Sequence, residues 1–254
     1  MVKVILGEIF NSWQGEGGSV EGSAFGRRQI FVRFAGCDLR CTYCDSRKYI
    51  DPRSVKKYRV EVEPFSGKFK YFNNPVDVEE VIKWITKLDT GDIHSISYTG
   101  GEPTLQILGL ASLMEKAKEL GYDNFLETHG GHPHLIKKIA YLTDYASVDI
   151  KDESANATKD WRKLVVNEIA STKILKEAGA KVYVKLVVTR ETRIENVRWY
   201  AEMLKGIAPM VIQPKEPMDM PIKKVMDFYN VAAKIMGKKN VSLSFQVHKY
   251  LGVL

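Results

Sequence analysis

Cysteine is scarce in this sequence, with three in 254 residues: Cys37, Cys41 and Cys44. An odd number of cysteines confined to one short stretch argues against the disulfide framework of a small secreted protein. Long apolar runs are absent too, because no stretch approaches the roughly 20 residues that cross a bilayer. The apolar start at residues 1–6 is too short for a signal peptide and lacks its cleavage site. We therefore expect a cytoplasmic protein.

Internal repeats and low-complexity tracts are also lacking, and the 44% apolar content is ordinary for a globular domain. The net charge of +7 would suit an anionic small molecule or a nucleic acid. The basic residues are scattered, however, and the short patches at 56–59, 68–70 and 234–239 form no recognisable RNA-binding motif. We interpret them as solvated surface and predict no direct contact with nucleic acid or membrane.

Short β-branched runs alternate with amphipathic helical periods along most of the chain. The strand candidates are residues 30–35, 94–98, 124–128, 145–150, 181–188 and 209–213. The helix candidates are residues 78–89, 105–120, 160–178, 193–205 and 221–237. Repeated strand–helix–strand units imply a parallel sheet with right-handed crossovers. We therefore predict an α/β fold, a partial (β/α)6 TIM-like barrel with added strands at 2–9 and 241–246.

Residues 47–76 are rich in lysine, proline and aromatics and show no clear period. We interpret them as an elaborated insertion within a single domain that spans residues 1–254. Two local signals bound the predicted helices. Asp77 with Glu80 three residues later predicts a capped start of the first helix. Gly121 predicts the end of the second.

Functional side chains of parallel α/β sheets gather in the loops beyond the carboxyl ends of the strands. Five unusual segments of this sequence each come at or after the end of a predicted strand. They are residues 36–46, 99–103, 127–128, 149–151 and 213–214. We therefore expect all five to lie along one rim of the sheet.

The three cysteines allow three interpretations. They could be buried small apolar residues, although Asp38 and Arg40 make the setting too polar. They could bind structural zinc, which needs a fourth ligand because there is no second cysteine pair. That ligand could come from the group His129, His132 and His134. They could also hold three irons of a [4Fe–4S] cluster and leave the fourth iron open for a small chelating molecule.

The C-x3-C-x2-C spacing, with Tyr43 before the last cysteine, resembles the signature of radical SAM enzymes. The segment Gly100–Pro103, read G-G-E-P, is similar to that family's second motif, which contacts the amine of S-adenosylmethionine (SAM). The resemblance implies that Cys37, Cys41 and Cys44 ligate a [4Fe–4S] cluster whose open iron binds SAM. It also implies the partial TIM-like radical SAM barrel that the strand count predicts independently.

Three further stretches resemble the 7-carboxy-7-deazaguanine synthases within that superfamily: residues 8–17, 31–36 and 246–254. The resemblance implies ring contraction of 6-carboxy-5,6,7,8-tetrahydropterin to 7-carboxy-7-deazaguanine plus ammonia, with SAM regenerated. It implies Mg2+ held at Ser46, an electron donor protein and a homodimer. The product would feed 7-deazapurine biosynthesis, towards queuosine or archaeosine in tRNA.

The resemblance also implies two sets of contact residues and no particular catalytic acid or base. The SAM contacts would be Tyr43, Cys44, Asp45, Gly101, Glu102, Thr128, Asp149, Ile150, Lys151 and Gln213. The substrate contacts would be Trp13, Gln14, Gly15, Glu16, Arg33, Thr99, His248 and Leu254. The side-chain chemistry agrees, because Gln14 and Glu16 suit a guanidine-like edge and Arg33 suits a carboxylate.

Plainer interpretations exist for several of these residues. Residues 14–17 could be a polar turn, Arg33 could form a structural ion pair and His248 could be a packed histidine. Asp149 and Lys151 could form a salt bridge at a strand end. The histidines of the 129–134 segment have no role in the family pattern, and we interpret them as spare imidazoles of a loop.

Two other functions remain possible at this level. The segment Asp149–Lys151 is similar to radical SAM activases that install glycyl radicals on partner proteins. Such an activase would not need Gln14, Glu16 and His248 around a small heterocycle. A zinc-stabilised binding module is the non-enzymatic alternative.

Overall fold

The computed structural model describes residues 2–252, and within that range the chain forms twelve β-strands and seven α-helices. The strands are β1 (Lys3–Val4), β2 (Leu6–Trp13), β3 (Arg28–Phe34), β4 (Lys57–Glu61), β5 (Phe69–Asn73), β6 (Val76–Asp77), β7 (Ser95–Gly100), β8 (Asn124–Thr128), β9 (Tyr145–Ile150), β10 (Lys181–Val188), β11 (Met210–Pro214) and β12 (Val241–Leu243). The helices are α1 (Val78–Leu88), α2 (Ile107–Glu119), α3 (Pro133–Ile139), α4 (Trp161–Glu177), α5 (Ile194–Leu204), α6 (Ile222–Met236) and α7 (Val247–Leu251).

Ten of the strands form one sheet in the order β12-β11-β10-β9-β8-β7-β3-β2-β4-β5. The run from β3 to β12 is parallel throughout, and β2 pairs antiparallel with β3. The six strands predicted from the sequence are β3, β7, β8, β9, β10 and β11, which are neighbours in this sheet. The predicted α/β fold with a partial (β/α)6 barrel is therefore confirmed.

The added strands differ in part from the prediction. The N-terminal strand predicted at 2–9 is two strands, since β1 pairs with β6 and β2 continues to Trp13. The C-terminal strand is shorter than 241–246 and ends at Leu243. The insertion at 47–76 contributes β4 and β5, which extend the sheet beyond β2 and were not predicted. Because β5 is the outer edge, none of its side chains is fully buried, and its apolar pattern is weak.

The two helix signals have different outcomes. Gly121 follows the C-cap of α2 with φ of +86°, as predicted, and its N–H donates to the carbonyl of Lys118 at 2.9 Å. Asp77 stands at the N-cap of α1, so the predicted start of the helix is confirmed, but its side chain makes no capping hydrogen bond, so the predicted cap was wrong. Asp77 is the last residue of β6 and pairs with Lys3 of β1, which holds its backbone in a strand ladder. Helices α3 and α7 were missed because seven and five residues are too few to show a period.

Strand β10 shows how the barrel separates its core from its site. Val182, Val184 and Leu186 belong to the main apolar core. Their neighbours on the opposite face include Lys185 and Val187, which line a cavity instead. Successive side chains of a strand point to opposite faces, so one strand supplies both. No helix of the described range 2–252 is long and apolar enough to span a bilayer.

Candidate functional site

A cavity of about 210 Å³ opens where the parallel strands end. It is lined by all five segments that the sequence placed on one rim. The predicted site residues that line it are Trp13, Gln14, Gly15, Glu16, Arg33, Cys37, Cys41, Tyr43, Cys44, Asp45, Ser46, Thr99, Gly101, Thr128, Asp149, Lys151, Gln213 and His248. Glu102 and Ile150 do not line it, and Leu254 lies outside the described residues.

The cysteine loop is fixed by backbone hydrogen bonds on both sides. The N–H of Cys37 donates to the carbonyl of Ile50 at 3.0 Å, and that of Thr42 donates to Ala155 at 2.9 Å. All three cysteines are free thiols and half-buried. Burial raises the pKa of the Cys37 thiol to about 11. Such a thiol is protonated at neutral pH and is a poor nucleophile, whereas a bound metal ion displaces its proton.

Gly100 and Gly101 let the end of β7 pack closely on the end of β3 and on the cysteine loop. A Cβ on Gly101 would collide with the carbonyl oxygen of Gly36, and one on Gly100 would collide with that of Phe34. The contact is closed by the N–H of Glu102, which donates to the Gly36 carbonyl at 2.7 Å. The cysteine loop therefore requires Gly101, and the end of β3 requires Gly100.

Glu102 is completely buried. Its carboxylate accepts hydrogen bonds from the N–H and hydroxyl of Thr104, the hydroxyl of Thr128 at 2.7 Å and the N–H of His129 at 2.9 Å. This carboxylate therefore joins the ends of β7 and β8. The predicted contact between Glu102 and SAM stays a prediction.

Glu127 is a site residue that the sequence placed on the rim without giving it a role. Its carboxylate accepts from the amide of Gln14 at 2.7 Å and from the hydroxyl of Thr99 at 2.7 Å. These contacts bring two predicted substrate residues onto one acceptor. A carboxylate at the end of a buried strand was the signal that pointed to it.

Arg33 is held in an ion pair and also lines the cavity. Its Nε donates to Glu8 at 2.7 Å, and a terminal nitrogen donates to the Ser46 hydroxyl at 3.2 Å. Burial would raise the pKa of Glu8, but Arg33 and Arg59 outweigh it and hold that pKa below its usual value. The structural ion pair considered from the sequence is therefore present, and it fixes the guanidinium beside Ser46.

Lys185 connects two parts of the site and was missed by sequence reasoning. Its Nζ lies 2.6 Å from Glu16 and 3.3 Å from Asp149. Asp149 also pairs with Lys151 at 2.6 Å, so the predicted salt bridge is present, though largely buried. Burial would raise the pKa of Glu16, but Lys185 and Gln246 outweigh it and lower that pKa. A lysine inside the apolar run 182–188 was the available signal.

The C-terminal helix α7 docks on the loop that follows β2. The amide of Gln246 donates to Glu16 at 2.7 Å, and the N–H of Val247 donates to the Gly15 carbonyl at 3.1 Å. A Cβ on Gly15 would collide with the ring of His248. The two ends of the sequence that suggested one substrate site therefore do meet.

Two of the three spare histidines have a structural partner. The Nε2 atoms of His129 and His132 lie 3.0 and 2.8 Å from the two carboxylate oxygens of Asp38. The N–H of Gly131 donates to Nδ1 of His129, so Nε2 of that ring carries the hydrogen towards Asp38. The interpretation of these two rings as spare was wrong, because they hold the residue that follows Cys37.

Comparison with known proteins decides between the remaining interpretations. The Radical SAM superfamily model matches residues 31–225. The chain is 69% identical over 253 residues to the 7-carboxy-7-deazaguanine synthase of Thermococcus kodakarensis, covering 100% of both proteins. This chain belongs to the 7-carboxy-7-deazaguanine synthase family of the radical SAM superfamily. The synthase of Methanocaldococcus jannaschii is 38% identical, with 98% of this chain and 100% of the relative covered.

The fold of this family member also matches a solved structure. QueE from Escherichia coli aligns with a TM-score of 0.58 at 17% identity, covering 96% of this chain and 94% of that one. Membership of the radical SAM superfamily gives the chain a [4Fe–4S] cluster and SAM as cofactors. The predictions of the superfamily and of these two cofactors are confirmed, and the zinc-stabilised module is excluded.

The cavity of this radical SAM protein fits a polar cofactor. Two of its buried polar atoms, the hydroxyl of Tyr43 and Oε1 of Gln213, have no hydrogen-bond partner among residues 2–252. Buried polar atoms are rarely left without a partner in native proteins. Both residues line the same cavity as the three thiols, which suits the amine, carboxylate and hydroxyl groups of SAM.

Proposed function

We propose that this chain converts 6-carboxy-5,6,7,8-tetrahydropterin to 7-carboxy-7-deazaguanine and ammonia. The observation that carries the proposal is the 69% identity across all of the Thermococcus kodakarensis synthase. The site agrees with it, because one cavity joins three thiols to a set of donors and acceptors that suits a small heterocycle. The activase alternative is not favoured, since the relatives reported above are synthases.

On the cofactor side, we assign the cluster ligands to Cys37, Cys41 and Cys44. When bound, the cluster and SAM supply the radical that abstracts hydrogen from the substrate. Tyr43 and Gln213 offer their unpaired polar atoms to SAM, and both line the cavity with the thiols. The protein's own contribution is to hold these groups around one cavity, so that cofactor and substrate are bound side by side.

On the substrate side, carboxylates face the guanidine-like edge of the pterin. Glu127 and Glu16 are acceptors, and Gln14 and Lys185 hold them in place through hydrogen bonds of 2.7 and 2.6 Å. Arg33 supplies a fixed cation for the carboxylate of the substrate. His248 completes the wall where α7 docks. Fixed partners favour catalysis because little reorganisation remains when charge develops.

The proposal is tested by anaerobic turnover with a reductant, SAM and 6-carboxytetrahydropterin. We expect 7-carboxy-7-deazaguanine in large molar excess over the SAM consumed, because SAM is regenerated. The measurement is product and 5′-deoxyadenosine by chromatography. Reductive cleavage of SAM without any deazaguanine would refute the pterin substrate and leave the family membership intact.

We propose that Mg2+ binds beside Ser46. Its hydroxyl is buried at the cavity, donates to Asp45 at 3.0 Å and accepts from Arg33 at 3.2 Å. Hydroxyl and carboxylate oxygens are hard ligands that Mg2+ accepts, with water and substrate in the other positions. Burial would raise the pKa of Asp45, but Arg33 and Ser46 outweigh it, so the carboxylate is charged.

Replacing Ser46 with alanine is expected to raise the Mg2+ concentration for half-maximal activity by about tenfold, the lower end for loss of a metal-site group. The visible absorbance of the iron–sulfur cluster should not change, because Ser46 has no thiol and is not one of the assigned cluster ligands. Titration of activity against Mg2+ measures the effect, and Ser54→Ala is the control, since Ser54 is exposed. Loss of the cluster in Ser46→Ala would show that Ser46 supports the cysteine loop instead.

The remaining features follow from the same proposal. We propose that residues 1–254 form one radical SAM domain, that the protein is cytoplasmic and homodimeric, and that a redox protein supplies its electrons. The product would enter 7-deazapurine biosynthesis. Size-exclusion chromatography with light scattering tests the dimer directly.

A further inference from the structure

The backbone of Cys37 is held by hydrogen bonds from three directions. Its N–H donates to the carbonyl of Ile50 at 3.0 Å, and its carbonyl accepts from the guanidinium of Arg40 at 2.7 Å. The carbonyl of the preceding residue, Gly36, accepts from the N–H of Glu102 at 2.7 Å. These bonds fix the backbone at the thiol and on its N-terminal side.

The residue that follows the thiol, Asp38, is held through its side chain. Its two carboxylate oxygens lie 3.0 Å from Nε2 of His129 and 2.8 Å from Nε2 of His132. An ionised carboxylate only accepts hydrogen bonds, so each ring donates one, and such charge-assisted bonds are stronger than neutral ones. Because the His129 ring is only 5% exposed, water competes little for its hydrogen bond.

The groups that hold the two neighbours of Cys37 are themselves joined. His129 comes directly after β8, and its N–H donates to the carboxylate of Glu102 at 2.9 Å. Glu102 holds Gly36 through its own N–H, and His129 holds Asp38 through its ring. The contacts therefore close a ring around Cys37, which ties the thiol to the ends of two parallel strands of the sheet.

We propose that Asp38 is a positioning residue that, through His129 and His132, holds the Cys37 thiol in place for the iron–sulfur cluster and slows the loss of iron. The inference rests on the proposed function, because Cys37 is assigned there as a cluster ligand. Groups that hold a metal ligand in place typically contribute about 10- to 100-fold to metal affinity. The two histidines, for which the family resemblance implies no role, therefore serve the cofactor.

The test is iron loss from the anaerobically purified holoenzyme, measured without SAM as the fall in visible absorbance in excess EDTA. In Asp38→Ala we expect the rate constant to rise about tenfold, the lower end for a group that orients a metal ligand. In His132→Ala we expect about threefold, because one of two hydrogen bonds is lost. The double variant should lose iron at the rate of Asp38→Ala alone, since His132 acts through Asp38.

His134→Ala is the matched control, because His134 is an exposed histidine of the same segment, with its ring centroid 6.0 Å from that of His132. It should leave the rate of iron loss unchanged. The thermal unfolding midpoint of the cluster-free protein should stay nearly constant in Asp38→Ala, because that side chain is 41% exposed. This second measurement separates positioning of the thiol from support of the whole fold.

Iron loss at the wild-type rate in both single variants would overturn the inference. A double variant that loses iron about thirtyfold faster would also overturn it, because independent effects multiply. So would faster iron loss that accompanies a lower unfolding midpoint of the cluster-free protein. A wild-type protein that assembles no cluster would refute the ligand assignment and the inference with it. A stable cluster without conversion of the pterin would refute the proposed reaction alone.

Discussion

Replacing Cys41 with serine is expected to abolish the iron–sulfur cluster and the ring contraction together. The sequence has three cysteines, all in one loop, so no other thiolate can take the vacant iron. The loop is pinned to Ile50 and Ala155 by backbone hydrogen bonds, which prevents rearrangement around a different ligand. Iron and sulfide content and visible absorbance after anaerobic reconstitution measure the first effect. Product formation below the detection limit measures the second.

Thr42→Ser is the control for this change, because it alters the neighbouring residue and keeps a hydroxyl that reaches the Ala155 carbonyl. It should retain the full complement of iron and sulfide. A Cys41→Ser protein that keeps four irons and four sulfides would contradict the assigned ligand set. Stoichiometric zinc without sulfide in the wild-type protein would contradict the presence of an iron–sulfur cluster.

The parallel part of the fold could be predicted from the sequence because its strands are buried on both faces. β10, for example, is an almost continuous apolar run, and its predicted bounds match the structure, Lys181–Val188. The edge of the sheet was not predictable in the same way. β5 has no fully buried side chain, so its sequence carries no strong signal, and its partner β4 is only five residues long.

The site was predictable where chemistry follows the end of a strand, as at the cysteine loop, Thr99 and Asp149. It was less predictable where a side chain acts through a distant partner. Lys185 lies inside its strand, and its two carboxylate partners, Glu16 and Asp149, come from elsewhere in the chain. Glu102 lies within a recognisable motif, but the motif does not predict its partners in the fold. Its carboxylate accepts hydrogen bonds from Thr128 and His129 and so joins two loops of the site.

Replacing Lys185 with methionine is expected to lower the free energy of unfolding by about 3 kcal/mol at neutral pH, the lower end for breaking a buried ion pair. Methionine keeps much of the side-chain length, so the main loss is the charge that Glu16 and Asp149 share. The Lys185 side chain is 12% exposed, which limits screening by solvent. Because Glu16 then lacks its cation, we also expect KM for the pterin to rise. Chemical denaturation and steady-state kinetics measure the two effects.

The pH dependence separates loss of charge from loss of packing in this variant. In the wild type, Lys185 helps to hold the pKa of Glu16 below its ordinary value. The ion pair therefore stabilises the fold fully above the ordinary pKa, and this stabilisation is lost as the pH falls through the lowered pKa of the folded state. Without Lys185, burial raises the pKa, and protonation of Glu16 relieves the unfavourable charge as the pH falls. The destabilisation should therefore shrink as the pH falls from neutrality towards about 4.5.

Lys181→Met, an exposed change on the same strand, should cost about 0.5 kcal/mol or less at any pH. An equal loss for Lys185→Met at both ends of the pH range would mean that packing, and not the ion pair, is what Lys185 contributes.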